Sequence, residues 1–320
     1  RHGLEGAAQH LRLVGALDHA DNEDAGGQSA DVHALGADQQ QLANARIALR
    51  SNSPGAEALA AQVPAALSRN AGLIYDRAIF LERAGRLSEA EALLAAGSND
   101  PGVTAPETWL EKRLALGRAA MRRGDNQTAY RLLSNHRTYA EGTNIAAQPL
   151  SVRVDLSDTE WLAGWIALRR LNRPADAVRN FTNFNAAVTT PISQTRGDYW
   201  MGRAEKARNN PAAANAAFER AAAAAHKAGR KVAITLSDTF VVARWRAELL
   251  DFIEQSADIV LANEAELGAL FETDDFDAAA AKLAALQRQQ AAQAGPHGAL
   301  ARWRLQRMIS RIGTLSDSGP

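Results

Sequence analysis

The sequence of 320 residues contains no cysteine. That excludes disulfides, thiolate metal sites and a cysteine nucleophile, and it leaves the redox compartment undecided. No apolar run approaches the roughly 20 residues that a membrane-spanning helix needs. There is no excess of either charge: Lys+Arg and Asp+Glu both number 36. Nothing in the overall balance therefore points to nucleic acid or an anionic membrane as a partner. β-Branched residues are sparse against an abundance of alanine, which favours helix over sheet. No basic stretch followed by an apolar one is visible from Arg1 onward. Any export signal is thus expected to have been removed or not to be included.

Residues 1–41 mix Asp, Gly, Gln and Ser with His2, His10, His19 and His33. Their low hydropathy and turn-forming composition predict poor order. His19, Asp21, Asp24 and His33 could be metal ligands, but nothing holds them at helical or hairpin spacing. A solvated segment is the plainer account. From Leu42 a helical pattern begins, interrupted at Asn52-Ser53-Pro54-Gly55.

A repeated grammar then sets in. Gly85, Gly124, Asn172 and Asn209 are each followed five residues later by alanine: Ala90, Ala129, Ala177 and Ala214. Large residues follow at Leu93-Leu94, Leu132-Leu133, Phe181 and Phe218. Small residues, Ala78, Gly117, Gly164 and Gly202, precede the turns by seven or eight places. A residue tolerant of left-handed backbone ends the first helix of a pair, and the small residue lets the second helix approach. The turn-to-turn spacings are 39, 48 and 37 residues, within the range of helix-hairpin arrays. The expected fold is mainly α, a superhelical array of helix hairpins (a TPR-like α-solenoid) followed by a small partial βαβ segment. The long gap holds a polar loop, residues 139–158. Trp161, Trp165 and Trp200 fall on the predicted helices. They are candidates for stacking on sugar rings, although packing between hairpins is the plainer account.

Residues 43–222 resemble the superhelical region of soluble lytic murein transglycosylases. The segments ANARIALR, LIYDRAIFLERAGR, PETWLEKRLALGRAAMRRGDNQTAYRLLSNH, EWLAGWIALRRL and TPISQTRGDYWMGRAEKA carry the likeness. The resemblance implies a helical scaffold around a peptidoglycan strand, in the periplasm, beside a separate lysozyme-like domain with a catalytic Glu. The Glu-Ser and Gly-Leu-Met-Gln motifs of that domain do not occur after residue 220. No glutamate here matches the catalytic one. Glu160 and Glu205 are the only carboxylates near the Trp-rich hairpins.

From about Ala224 the pattern changes. Val232 to Leu236 and Asp258 to Ala262 read as strands, each followed by a helix. KVAITLSD, RAELLDFI and DIVLANEAE resemble the middle of a sugar kinase of the ribokinase superfamily, nearest its adenosine-kinase-like branch. In that family an Asn-x-x-Glu motif helps organise Mg²⁺ and phosphate, which here implies Asn263 and Glu266. A helix cap with a first-turn carboxylate explains the same pair. The Gly-Ala-Gly-Asp stretch that supplies base and anion hole is absent. The α-array offers these two strands no sheet edge, so they are expected to pair only with each other.

The segments thus expected are 1–41, poorly ordered; 42–222, transglycosylase-like; 223–286, a ribokinase-like fragment joined within the alanine run 221–225; and 287–320, a terminal helix and tail. In that tail Leu300, Trp303, Met308 and Ile312 form an apolar stripe, with Arg302, Arg304, Arg307 and Arg311 able to touch an acidic surface or solvent. The functional expectation is a non-catalytic scaffold or binding protein associated with peptidoglycan, with no cofactor. The alternatives are an active lytic transglycosylase and a remnant of a nucleoside or sugar kinase.

Overall fold

In the computed structural model the described residues are 36–293, with 99 and 101 excepted. They form fourteen α-helices and two short strands. The helices before the first strand are α1 (Ala37–Arg50), α2 (Ala56–Gln62), α3 (Ala71–Arg83), α4 (Leu87–Ala96), α5 (Pro106–Arg122), α6 (Asn126–Ser134), α7 (Leu150–Arg169), α8 (Pro174–Ala187), α9 (Pro191–Ala207) and α10 (Pro211–Lys227). Then come β1 (Ala233–Thr235), α11 (Thr239–Arg244), α12 (Arg246–Gln255), β2 (Ile259–Leu261), α13 (Glu264–Phe271) and α14 (Phe276–Gln293). α1 starts ahead of Leu42, taking residues 37–41 into a helix instead of the poorly ordered segment expected. The histidines and aspartates singled out at the N-terminus lie outside the described residues, as do the apolar and basic positions singled out in the tail. The described chain divides into two compact units, 36–193 with 197–214, and 194–196 with 215–293. The division precedes the alanine run where the join was expected.

Prolines open α5, α8 and α9, where the missing N–H costs nothing. Gly85, Gly124, Asn172 and Asn209 all have left-handed backbone, with φ of 73, 88, 51 and 58°. Each ends a helix at the place the sequence grammar puts it. The alanines five residues on are buried: Ala90, Ala129 and Ala177 at 0% exposure and Ala214 at 2%. Paired helices therefore approach closely. A Cβ on Gly117 would lie 2.8 Å from Leu133 Cγ, and one on Gly164 would lie 2.7 Å from Phe181 Cε1. The bulky residue of the second helix occupies the space the small residue of the first leaves open. In the first unit α1 packs on α2, α3 on α4, α5 on α6 and α7 on α8, and contacts also join α1 to α3, α4 to α6 and α5 to α7.

Two buried guanidinium groups complete this interior. Arg46 Nε donates to Asp76 Oδ2 at 2.7 Å, and Arg50 Nε to Asp76 Oδ1 at 2.9 Å, which fixes α1 on α3. Arg113, at 0% exposure, donates to the carbonyls of Leu94 (2.6 Å), Leu132 (2.7 Å) and Arg131 (3.4 Å). These are last-turn carbonyls of α4 and α6; those of Leu94 and Arg131 also accept from the backbone N–H of Gly97 (2.8 Å) and Asn135 (3.2 Å), so the guanidinium adds a second donor at each helix end. One positive group thus meets the negative ends of two helix dipoles. Burial lowers the Arg113 pKa to about 9, which leaves it protonated at neutral pH.

In the second unit β1 and β2 pair in parallel, Ala233 with Ile259, Ile234 with Val260 and Thr235 with Leu261. Among the described residues they pair with no other strand. Asp258 Oδ2 accepts from Val232 N (2.7 Å) and meets His226 Nε2 (2.9 Å), joining the end of α10 to the start of both strands. Leu236, Val242, Ile253, Ala257 and Leu270 form the core that the surrounding helices close over this pair.

Gly164→Ala tests the close approach of α7 and α8. The added methyl must displace Phe181, and we expect a loss of about 1–3 kcal/mol, read as a lower urea midpoint with unchanged m-value.

Candidate functional site

The first unit carries an aromatic cluster on α7, α8 and α9. Trp161 and Trp200 meet edge to face, with ring centroids 6.2 Å apart at 83°. Phe181 lies 6.2 Å from Trp200, and Tyr199 5.7 Å from it at 82°. Edge-to-face pairing brings a positive ring edge to a negative face. Phe181 is fully buried, Trp161 and Trp200 are half-buried, and Tyr199 is 43% exposed. The cluster thus grades from core to surface. Arg203, one turn beyond Tyr199, places its guanidinium 5.8 Å from the Tyr199 ring and 5.7 Å from the Trp200 ring. Its Nη1 donates to the Tyr199 hydroxyl at 3.0 Å. The structure brings Trp161 and Trp200 together. Trp165 is instead paired with Arg170, 5.3 Å from its ring.

A buried polar cluster sits on the same helices. Glu160 is 3% exposed. Its Oε1 accepts from Asn183 Nδ2 at 2.8 Å and lies 3.1 Å from His136 Nε2, while Oε2 has no hydrogen-bond partner. The Thr138 backbone N–H donates to His136 Nδ1 at 3.2 Å, so Nδ1 is an acceptor and Nε2 carries the proton. His136 therefore donates to Glu160. Its carbonyl also accepts from Trp109 Nε1 at 2.7 Å.

Thr138 Oγ1 lies 2.7 Å from His136 Nδ1, and the order Thr138–His136–Glu160 has the connectivity of a hydroxyl, a base and an orienting acid. Thr138 is only 1% exposed, so its hydroxyl meets no substrate. The arrangement orders the loop between α6 and α7. Glu205 serves a local end as well: it accepts from Arg208 (3.1 Å) and Asn210 (3.3 Å) at the close of α9.

Asn263 and Glu266 come together as a capping box. Asn263 Oδ1 accepts from Glu266 N at 2.8 Å, and Glu266 Oε2 accepts from Asn263 N at 3.2 Å. Asn263 Nδ2 takes the other carboxylate oxygen at 2.9 Å. Every oxygen of the pair's side chains is engaged at the N-terminus of α13. Among the described residues no group of three or more His, Asp or Glu could hold a metal ion. The pair does not fit the Mg²⁺ role that the kinase resemblance implies.

A shallow depression lies elsewhere in the first unit, between the starts of α3 and α5, lined by Tyr75, Thr104, Thr108 and Trp109 among others. Burial first, then the neighbouring Asp76 carboxylate, pushes the Tyr75 phenol up. On α5 and α7 a patch of like charge gathers. Burial first, then Glu111, Glu107 and Asp158, raises the Asp155 carboxyl above its ordinary value. No helix of the described residues is long and apolar enough to cross a membrane.

Tyr199 and Arg203 were not singled out from the sequence, although their spacing of four on a helix signals contact. His136 and Asn183 carry no such signal, because both meet Glu160 from distant segments. No family model, curated protein or solved structure matches this chain.

Glu160→Leu strands the His136 and Asn183 donors, and we expect a loss of about 2–3 kcal/mol, whereas Glu160→Gln keeps an acceptor and loses less; urea unfolding of both variants separates the two. Asp155 holds its proton to higher pH in the folded chain than in the unfolded one, so its contribution to stability falls as pH rises through the carboxylate range. Asp155→Asn is therefore expected to raise the melting temperature at neutral pH. The gain should vanish near pH 3, where both states are protonated.

Proposed function

We propose that this chain is a non-catalytic scaffold that binds the glycan of peptidoglycan through the Trp161–Trp200–Tyr199–Arg203 surface, its helix hairpins stacking as a superhelical solenoid of the lytic murein transglycosylase type. The observation that carries this reading is the graded aromatic cluster. An exposed Tyr199 ring backed by Trp200 and flanked by a guanidinium offers apolar faces to sugar rings and donors to their hydroxyls and carboxylates. The family-like segments at residues 43–222 supply the ligand class, and the same likeness suggests a periplasmic setting.

An active transglycosylase would need a protonated carboxylic acid facing a sugar-sized groove. Glu160 is the buried carboxylate on the Trp-bearing helix, and its Oε2 has no hydrogen-bond partner. It is 3% exposed, and its Oε1 is held by Asn183 and lies against His136, so it presents no oxygen to an open groove. That supports a binding role over an acid–base one.

Purified sacculi should retain the full chain in a pull-down. The double variant Tyr199→Ala/Arg203→Ala should bind roughly ten-fold more weakly, as two stacking contacts of about 0.7 kcal/mol each are removed. No retention of the parent chain sinks the proposal, and release of anhydro-muropeptides during the incubation would replace it with the enzymatic reading.

A further inference from the structure

The two-stranded sheet of the second unit has an open edge. Along a strand the backbone groups of successive residues face opposite sides. The Val232 carbonyl accepts from Ile259 N at 3.1 Å, and Leu236 N donates to the Leu261 carbonyl at 3.0 Å. Val232 and Leu236 thus face β2, and Ile234 faces it with them. Ala233 and Thr235 have the opposite parity, so their N–H and C=O groups point away from β2. Both residues are exposed, and among the described residues no strand or turn bonds to them on that side. The far edge of β2 is different. It presents Val260, which is half-buried, and Gln287 of α14 donates to the Asp258 carbonyl there at 3.4 Å. Unpaired ladder groups are a template for another strand, and a two-stranded sheet is marginal by itself.

We propose that the β1 edge is the interface of a homodimer, in which β1 of one protomer pairs antiparallel with β1 of its partner about a two-fold axis at Ile234. This interface is independent of the peptidoglycan reading. The stretch from Arg230 to Asp238, RKVAITLSD, is complementary to its own reverse. In this register Ala233 of each protomer faces Thr235 of the other, and these are the residues whose N–H and C=O groups are directed outward to exchange hydrogen bonds. Ile234 meets its own copy in a non-hydrogen-bonded pair, where side chains approach most closely. Ile234 already packs against the core of Leu236, Val242 and Ile253, so the contact extends that core across the axis. Arg230 comes opposite Asp238 at both ends of the paired strands, and both residues are exposed. Asp238 Oδ1 accepts from Phe240 N at 2.7 Å, which fixes the carboxylate at the strand end. Opposite charges across a strand pair attract, and like charges repel.

The same charges select against other arrangements. A parallel, in-register addition would set Arg230 and Lys231 beside their own copies and Asp238 beside Asp238. A two-fold pair uses the edge once on each protomer and is closed. Ser237, with φ of 70°, turns the chain out of the strand, which confines the pairing to the stretch before it.

Sedimentation equilibrium of the full chain over about 1–300 µM should fit a monomer–dimer equilibrium. Ala233→Pro removes an outward N–H while sparing the ladder to β2, because proline is tolerated on the free side of an edge strand. It should abolish the dimer and leave the circular dichroism spectrum unchanged. Arg230→Glu/Lys231→Glu sets negative charge against Asp238 and should weaken dimerisation roughly ten-fold. Because the chain has no cysteine, Ile234→Cys reads the register directly. The Cα atoms of a non-hydrogen-bonded pair lie about 4.5 Å apart, within disulfide reach. Mild oxidation should therefore crosslink this variant into dimers, while Leu261→Cys on β2 should stay uncrosslinked. A parent chain that is monomeric throughout the range overturns the proposal. So does a dimer that survives Ala233→Pro, because the interface would then lie elsewhere. A dimer lost in Ala233→Pro but without the Ile234→Cys crosslink, or assemblies larger than a dimer, overturns the two-fold pairing.

Discussion

The Arg113 guanidinium is the constraint from which the first unit is built. It stands in the interior with no water to solvate it, and three carbonyl oxygens replace that water. Those carbonyls belong to the last turns of two different helices. Helix ends inside a protein need their last carbonyls satisfied; the backbone of Gly97 and Asn135 reaches those of Leu94 and Arg131, and one side chain from α5 adds donors at both α4 and α6. Arg69 and Asn135 add donors at Ala95 and Ala96, so that the end of α4 is closed from several directions. The Trp109 ring, 5.0 Å from the Arg113 guanidinium, supplies the face that the carbonyls leave open.

From Trp109 the polar contacts run on without interruption. The indole N–H reaches the His136 carbonyl, the His136 imidazole reaches Glu160 on α7, and Glu160 reaches Asn183 on α8. Hydrophobic packing sets how closely these helices approach, through Gly117 against Leu133 and Gly164 against Phe181. Apolar contacts are tolerant of rotation, whereas a chain of directional bonds is not. The polar chain therefore selects one mutual orientation among those the packing allows. The aromatic surface inherits that orientation, since Trp161 is the next residue after Glu160 and Phe181 lies two before Asn183.

The local rules of the fold were legible in the sequence. Gly85, Gly124, Asn172 and Asn209 were readable as turns because left-handed backbone has few tolerant residues, and the alanines after them were readable as contact points because close helices exclude larger ones. The two strands and their mutual pairing followed from apolar runs of strand length with no other edge to join. The capping box was readable as one of two meanings of Asn-x-x-Glu, and the hydrogen bonds settle on the cap. What was hidden depends on long-range placement. Arg113 looks like any helix-surface arginine until the helices on either side are in position. His136 sits in a polar loop, and only the return of α7 gives it a carboxylate. The division into two compact units falls before the alanine run, at which the composition changes. Tyr199 and Arg203 lay within a segment read for its family likeness and not for its side-chain spacing.

The carbonyls of Leu94 and Leu132 each stand 19 residues from Arg113, one on either side. That symmetry has a consequence for how the chain can vary. Each residue added to a helix turns everything beyond it by about 100°. A single insertion in either flank would swing one carbonyl away from the guanidinium, unless a loop absorbed it. Lengthening in this stretch is thus confined to the few non-helical positions around residues 97–105 and 123–125. Elsewhere the chain must grow by whole hairpins or stay as it is.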